Sequence, residues 1–134
     1  MLRPLTIAII DDDEIYRYVI LKTMQSSDIS KRNLVFTNGE QALHFIVENL
    51  DNAGELPDMI LLDMNMPVMD GFAFMEEYAK LVPKISKKII VIIISSSINP
   101  LDIERARSIP GITDYMSKPI VPGKLIRTLT ELQL

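Results

Sequence analysis

The sequence contains no cysteine, no tryptophan and a single histidine, His44. The lack of cysteine excludes a disulfide framework and a thiolate site, and one histidine alone leaves no zinc-ligand cluster. No apolar run approaches the roughly 20 residues that a membrane-spanning helix needs, so we expect no membrane partner. Aspartates follow Ile10 directly, which makes the amino-terminal segment too short for a signal peptide. We therefore expect a cytoplasmic protein.

The charge balance of the chain is acidic, with a formal net charge of −4 over 134 residues. Binding to nucleic acid is driven by Lys and Arg contacts to phosphates, so we expect no nucleic-acid partner. Hydrophobic residues make up 48% of the chain, enough for a sizeable core in one domain of ordinary size. About one helix fits after Pro119, so we expect residues 1–134 to form a single domain without an appended output domain.

Four apolar runs in the chain each end in polar residues. Residues 7–10 precede Asp11, Asp12 and Asp13; residues 59–62 precede Asp63; residues 89–94 precede Ser95; and residues 115–116 come shortly before Lys118 and Pro119. Continuous Ile, Val and Leu runs are typical of strands buried on both faces of a parallel sheet. In such a sheet the carboxyl ends of the strands form one edge, where ligands bind. The sequence therefore predicts acids, a hydroxyl and an ammonium at one place, which is the composition of a magnesium and phosphoryl site.

Between these runs the spacing of apolar residues predicts helices over about residues 14–25, 39–50, 72–81, 100–108 and 122–133. A short second strand is predicted over residues 34–37. We expect the first helix to bury a stripe made of Ile15, Val19 and Thr23, flanked by Tyr18 and Met24. Strands that alternate with helices indicate βαβ units and a parallel sheet with right-handed crossovers.

The motifs resemble those of a known family when they are taken together and in order. Asp11 and Asp12, residues 61–71, Ser95 with Ser96, and residues 115–119 resemble the receiver domain of bacterial two-component response regulators. The separations from Asp12 to Asp63, Ser95 and Lys118 in turn are 51, 32 and 23 residues, each room for a helical crossover and a strand. The resemblance implies a flavodoxin-like three-layer α/β sandwich, a five-stranded parallel sheet of order 2-1-3-4-5 with helices on both faces.

The resemblance assigns the phosphoryl chemistry to the acidic residues. It implies that Asp63 is the nucleophile and becomes an aspartyl phosphate. The implied ligands of a Mg²⁺ ion are Asp12, Asp63 and the backbone carbonyl of Asn65, with Asp11 acting through water. These are hard oxygen donors, which suit that ion. We interpret Asp13 as the residue that starts the first helix, where the helix dipole favours a negative charge.

The remaining motifs correspond to charge compensation and switching. The resemblance implies that Lys118 supplies positive charge to the phosphoryl oxygens and that the Lys118–Pro119 bond is cis. It also implies that Ser95 is the switch hydroxyl and that Tyr115 is an aromatic switch residue alternating between exposed and buried rotamers. Most receivers place Ala or Gly where this chain has Ser96, so we expect Ser96 and Ser97 to affect the lifetime of the phosphorylated state.

The implied function is phosphorelay signalling, with a sensor histidine kinase or a phosphotransfer protein as donor and an unknown downstream protein as target. We expect a monomer or a weak homodimer that catalyses only its own phosphorylation and dephosphorylation. One alternative is a magnesium phosphatase with an aspartyl nucleophile, since Asp11 and Asp13 have the spacing of such a motif. A second alternative is a receiver used only for docking. We expect His44 to lie at a helix surface.

Overall fold

The computed structural model describes residues 5–66, 68–97 and 99–133. Pro67, which belongs to the motif over residues 61–71, lies outside the described residues. The strands are β1 (Leu5–Ile10), β2 (Ser30–Phe36), β3 (Met59–Asp63), β4 (Ile90–Ser95) and β5 (Ile112–Ser117). The helices are α1 (Glu14–Ser27), α2 (Gly39–Glu48), α3 (Gly71–Leu81), α4 (Pro100–Arg107) and α5 (Pro122–Gln133), and a short 3₁₀ helix, Val82–Lys84, follows α3.

All strands are parallel and lie in one sheet in the order β2-β1-β3-β4-β5. The predicted fold class and strand order are therefore confirmed. Alternate residues of a strand point to opposite faces, and in β1 this sends Ile7 and Ile9 to one core layer and Ala8 and Ile10 to the other. Helices α1 and α5 cover the first layer, and α2, α3 and α4 cover the second. Both faces of the central strands are thus buried, which explains their continuous apolar runs.

The buried face of α1 differs from the predicted stripe. Ile15 is 73% exposed and Tyr18 is 61% exposed, whereas the buried residues of the helix are Ile20, Thr23 and Met24. Several sets of apolar residues with a four-residue spacing coexist in this helix. The rotation of α1 about its own axis, as it packs against the sheet and beside α5, decides which set is buried, and the sequence of α1 alone does not specify that rotation.

Strand β2 begins at Ser30, four residues earlier than predicted. Its first half is polar, and such residues are tolerated because β2 is an edge strand that pairs only with β1 along this sheet.

The predicted surface position of His44 is confirmed, since its side chain is 74% exposed and lies 2.8 Å from the Glu48 carboxylate. Among the described residues, none of the helices has the length and apolar character needed to cross a membrane.

Candidate phosphoryl and metal site

The strand register brings the four polar ends together at the carboxyl edge of the sheet. Ile10 pairs with Leu62, Asp63 pairs with Ile94, and Ser95 pairs with Ser117. The residues that follow these positions therefore share one crevice, as predicted for an open parallel sheet. The crevice contains three aspartates, each with a carboxylate oxygen within 4.8 Å of the other two: Asp11, Asp12 and Asp63.

Asp11 and Asp12 leave β1 in opposite environments. Asp11 is 2% exposed, and its Oδ1 accepts a hydrogen bond of 2.8 Å from the backbone N–H of Asp13. Asp12 is exposed at the mouth of the crevice. The Asp13 carboxylate turns away to cap α1, accepting from the N–H groups of Ile15 and Tyr16 at 2.9 and 3.3 Å. This confirms our interpretation of Asp13 as the start of the helix.

Asp63 at the end of β3 is a buried carboxyl group, only 3% exposed. Burial, and after it the negative charge of Asp11, raise its pKa from the ordinary 3.8 to about 7. A hydrogen bond from the backbone N–H of Asn65, 3.1 Å long, and the nearby Lys118 ammonium act in the opposite direction. Carboxyl groups whose pKa is raised by burial together with a neighbouring charge are concentrated at functional sites.

Lys118 is the positive charge of this crevice. Its Nζ lies 3.2 Å from Oδ2 of Asp11 and 3.6 Å from Oδ1 of Asp63, and its side chain is 8% exposed. The Lys118–Pro119 peptide bond is cis. The backbone N–H of Lys118 donates to the carbonyl of Ser95 at 2.8 Å. The backbone of Lys118 is therefore held beside β4, and its ammonium forms ion pairs with two acids.

The Ser95 hydroxyl is held at the end of β4 by two donors. Its oxygen accepts from Nδ2 of Asn65 and from the backbone N–H of Ser97, both at 3.2 Å. Neither bond uses the hydroxyl proton. The hydroxyl of Ser95 can therefore also act as a hydrogen-bond donor.

The crevice fits a hard divalent cation. It has a volume of about 430 Å³, and its lining residues are Asp12, Asp13, Tyr16, Asp63, Asn65, Ser96 and Lys118. Among the described residues of the site, three carboxylates outnumber one ammonium, and two of the carboxylates, Asp11 and Asp63, are almost fully buried. Oxygen ligands with excess negative charge are the donor set that Mg²⁺ prefers, because that ion binds through one or two carboxylates and keeps several waters.

A family model described as the response regulator receiver domain matches residues 7–130. This chain belongs to the response regulator receiver domain family. The resemblance predicted from the motifs is therefore confirmed, and the chain is a receiver domain of the kind found in two-component systems.

Individual relatives agree with the family. The receiver domain is 34% identical over 123 residues to the sensor histidine kinase CheAY of Helicobacter pylori, a match that covers 91% of this chain and 14% of that kinase. A crystal structure of a two-component response regulator from Cytophaga hutchinsonii superposes with a TM-score of 0.84 at 26% identity and covers 98% of both chains. The receiver domain of sensor histidine kinase PA1611 from Pseudomonas aeruginosa superposes with a TM-score of 0.75 at 23% identity and covers 98% of both chains. That structure has a magnesium ion coordinated in its active-site cleft.

Tyr115 of this receiver domain is buried, at 8% exposure. Its hydroxyl donates to the carbonyl of Ser97 at 3.0 Å, and the guanidinium of Arg107 lies 5.9 Å from the ring centroid. The structure thus shows one of the two positions expected for the switch aromatic. The alternation between two rotamers stays a prediction.

Three contacts of the site were not predicted from the sequence. The side-chain amide of Asn65 contacts Ser95, although we had assigned a role only to the Asn65 backbone. The Oγ of Ser97 donates to Oδ2 of Asp102 at 2.8 Å and so joins the loop after β4 to α4. The Tyr16 ring lies beside the Lys118 ammonium, 4.1 Å away. The sequence did hold a signal for the Tyr16 contact. Tyr16 stands in the first helical turn after an aspartate cluster, and that turn must lie next to the end of β1.

Proposed function

We propose that this receiver domain accepts a phosphoryl group on Asp63 from a sensor histidine kinase or a phosphotransfer protein, with Mg²⁺, and thereby switches its binding to a downstream protein. The observation that carries the proposal is the position of the Asp63 carboxylate. It lies within 4.8 Å of carboxylate oxygens of Asp11 and Asp12 and 3.6 Å from the Lys118 ammonium. The proximity of three carboxylates and an ammonium at one edge of the sheet supports the roles of nucleophile, cation site and charge compensation that we propose.

In the proposed transfer, a carboxylate oxygen of Asp63 forms a bond to phosphorus while the bond from phosphorus to the donor's histidine nitrogen breaks. The electron pair of the broken bond stays on that nitrogen, which takes up a proton as neutral histidine leaves. Asp63 becomes a mixed carboxylic–phosphoric anhydride. The step needs ionised Asp63, and the positive charge of Lys118 favours that form against the burial that raises the pKa.

We assign the metal to Asp12, Asp63 and the backbone carbonyl of Asn65, with Asp11 acting through water. When bound, Mg²⁺ supplies positive charge that offsets the carboxylates and the phosphoryl oxygens. The donor chemistry of the crevice supports this assignment, and so does the magnesium ion in the P. aeruginosa neighbour. Lys118 acts from the side of Asp11 and compensates phosphoryl oxygens as a point charge.

Phosphorylation adds about −1.5 to −2 charges at Asp63, and we propose that Ser95 and Tyr115 convert this charge into a changed surface. Ser95 moves inward, and its hydroxyl donates a hydrogen bond to a phosphoryl oxygen. The loop follows, because Ser97 donates its backbone N–H to Ser95 and accepts the Tyr115 hydroxyl on its carbonyl. The buried rotamer of Tyr115 is then favoured, which shifts the population between pre-existing states. The surface formed by α4, β5 and α5 changes as a result, and Ser96 and Ser97 set how long the state lasts.

The same proposal covers organisation and location. Residues 1–134 act as one receiver domain, a monomer or a weak homodimer in the cytoplasm, which catalyses only its own phosphorylation and dephosphorylation. The partners are a kinase or phosphotransfer protein and one downstream protein. Family membership supports the first partner.

The direct test is incubation with acetyl phosphate and Mg²⁺, followed by intact mass measurement. We expect the wild-type chain to gain one phosphoryl group and Asp63→Asn to gain none. Asp51→Asn, an exposed aspartate in the loop before β3, is the matched control and should be phosphorylated like the wild type. No added mass on the wild type, or equal labelling of Asp63→Asn, would reject the proposal. A wild-type chain that gains no phosphate yet binds its target would be a docking-only receiver.

The phosphatase alternative depended on the spacing of Asp11 and Asp13. In the structure the Asp13 carboxylate caps α1 through two backbone N–H groups, so this spacing has a local structural reason. Repeated turnover of a phosphate monoester would nevertheless favour the alternative, whereas a single equivalent of phosphate on Asp63 favours the receiver.

A further inference from the structure

Tyr16 lines the crevice that contains Asp63 and Lys118. The Nζ atom of Lys118 lies 4.1 Å from the ring centroid, within the distance at which an aromatic face attracts a cation. Tyr16 has no task in the proposed phosphoryl transfer.

The ring is held in place by the start of α1. The carboxylate of Asp13 accepts from the backbone N–H of Tyr16, and Nη1 of Arg17 donates to the carbonyl of Asp11 at 2.8 Å. The Tyr16 side chain also packs against the core layer beneath α1 and α5. These contacts fix the ring relative to the end of β1, which carries the acidic residues.

The Lys118 ammonium needs such a support. It is a compact charge on a flexible four-carbon stem, and the two acids attract it, with Asp11 at 3.2 Å and Asp63 at 3.6 Å. Carboxylates alone would let it move along the line between them. The ring face adds an attraction from a third direction and presents no strong hydrogen-bond acceptor. The ammonium can therefore keep its donors for an incoming anion.

We propose that Tyr16 is a positioning residue for phosphoryl transfer: its ring face holds the Lys118 ammonium where the phosphoryl oxygens on Asp63 come to lie. The inference rests on the proposed function, since it gives Lys118 the task of compensating those oxygens. A donor that is already in place needs no rearrangement when the transferring group arrives, and preorganised charge of this kind speeds a reaction.

The test compares Tyr16→Leu, Tyr16→Met and Tyr16→Phe with the control Tyr18→Leu. Tyr18 lies on the same helix and its ring is 5.9 Å from the Lys22 ammonium, but it is 61% exposed and outside the crevice. Three quantities are measured with Mg²⁺ present: the phosphorylation rate with acetyl phosphate, the affinity for beryllofluoride as a non-reactive phosphoryl mimic, and the NMR shifts of the Lys118 ε-methylene protons.

We expect Tyr16→Leu and Tyr16→Met to lower the rate and the beryllofluoride affinity about tenfold, and Tyr16→Phe to stay within about twofold of wild type, because phenylalanine keeps the ring face. The ring-current shift of the Lys118 protons should vanish in the first two variants and persist in the third. In a Lys118→Met background, Tyr16→Leu should cause no further loss. Tyr18→Leu should leave all three quantities unchanged.

Wild-type rates and affinities in a folded Tyr16→Leu or Tyr16→Met would overturn the inference, and so would a Tyr16→Phe as impaired as Tyr16→Leu. Circular dichroism identifies a variant that does not fold, and the remaining aliphatic variant then decides. If the wild-type chain itself takes up no phosphate, the proposed function fails and the inference fails with it. If the wild type takes up phosphate and the Tyr16 variants keep its rate and affinity, the inference is refuted and the proposed function stands.

Discussion

Replacing Asp63 by asparagine should stabilise the metal-free protein above neutral pH. Burial and then the charge of Asp11 raise the pKa of Asp63 from its ordinary 3.8 to about 7. Because the folded pKa lies above the unfolded one, the native state binds more protons between these values. The stability contributed by protonated Asp63 is therefore complete below pH 3.8 and is lost as the pH rises through about 7. Asparagine has nearly the same shape and carries no charge.

The magnitude follows from the difference between the two pKa values. One pKa unit corresponds to about 1.4 kcal/mol, so about three units set an upper limit of about 4 kcal/mol. Asparagine can keep the acceptor for the Asn65 N–H, which donates to Oδ1 of Asp63, but its amide NH₂ lies near the Lys118 ammonium, which reduces the gain. We expect a net stabilisation of about 2 to 4 kcal/mol, or roughly 10 °C in melting temperature for a chain of this size.

The assay is urea unfolding with a chelator at about pH 4, 6 and 8, comparing the wild type with Asp63→Asn and the exposed control Asp51→Asn. The stabilisation by Asp63→Asn should be near zero at the lowest pH and largest at the highest, and Asp51→Asn should show no such trend. Added Mg²⁺ should raise wild-type stability by mass action and have a much smaller effect on Asp63→Asn. A difference between Asp63→Asn and wild type that is equal at low and high pH would refute the electrostatic reasoning.

Two further predictions concern stability away from the phosphoryl chemistry. Lys87→Met should lower the free energy of unfolding, measured with urea, by about 3 kcal/mol. The Lys87 ammonium lies 2.9 Å from the largely buried carboxylate of Asp58, and the substitution removes that positive charge. An unchanged urea midpoint of unfolding would contradict this prediction. Gly71→Ala should lower the free energy of unfolding by more than about 2 kcal/mol, because a Cβ atom at this position would lie 2.9 Å from the Met64 Cα. The control is Gly123→Ala, where a Cβ atom would meet nothing within 4 Å. This control should leave the melting temperature unchanged or slightly raised. Equal effects of the two glycine substitutions would contradict it.

Much of the fold could be predicted from the sequence because its signals are local. Continuous apolar runs identified the central strands, since both faces of those strands are covered by helices. The helix predicted over residues 100–108 corresponds to α4, whose start is set locally because the Asn99 side chain accepts from the backbone N–H of Leu101. The edge strand β2 was predicted too short, because the polar residues from Ser30 onward give no periodic signal and are tolerated only at an edge.

The sequence by itself determined which chemical groups stand at the carboxyl ends of the strands, and their order along the chain identified the family. Only the tertiary structure decided how those groups meet. It buried Asp11 and exposed Asp12, although they are chemically identical neighbours, and it placed Tyr16 against Lys118 and Asn65 against Ser95. The physical reason is one of range. A strand or a cap is set by neighbouring residues, whereas a contact between distant residues depends on strand register and on the rotation of each helix over the sheet, which the whole core fixes together.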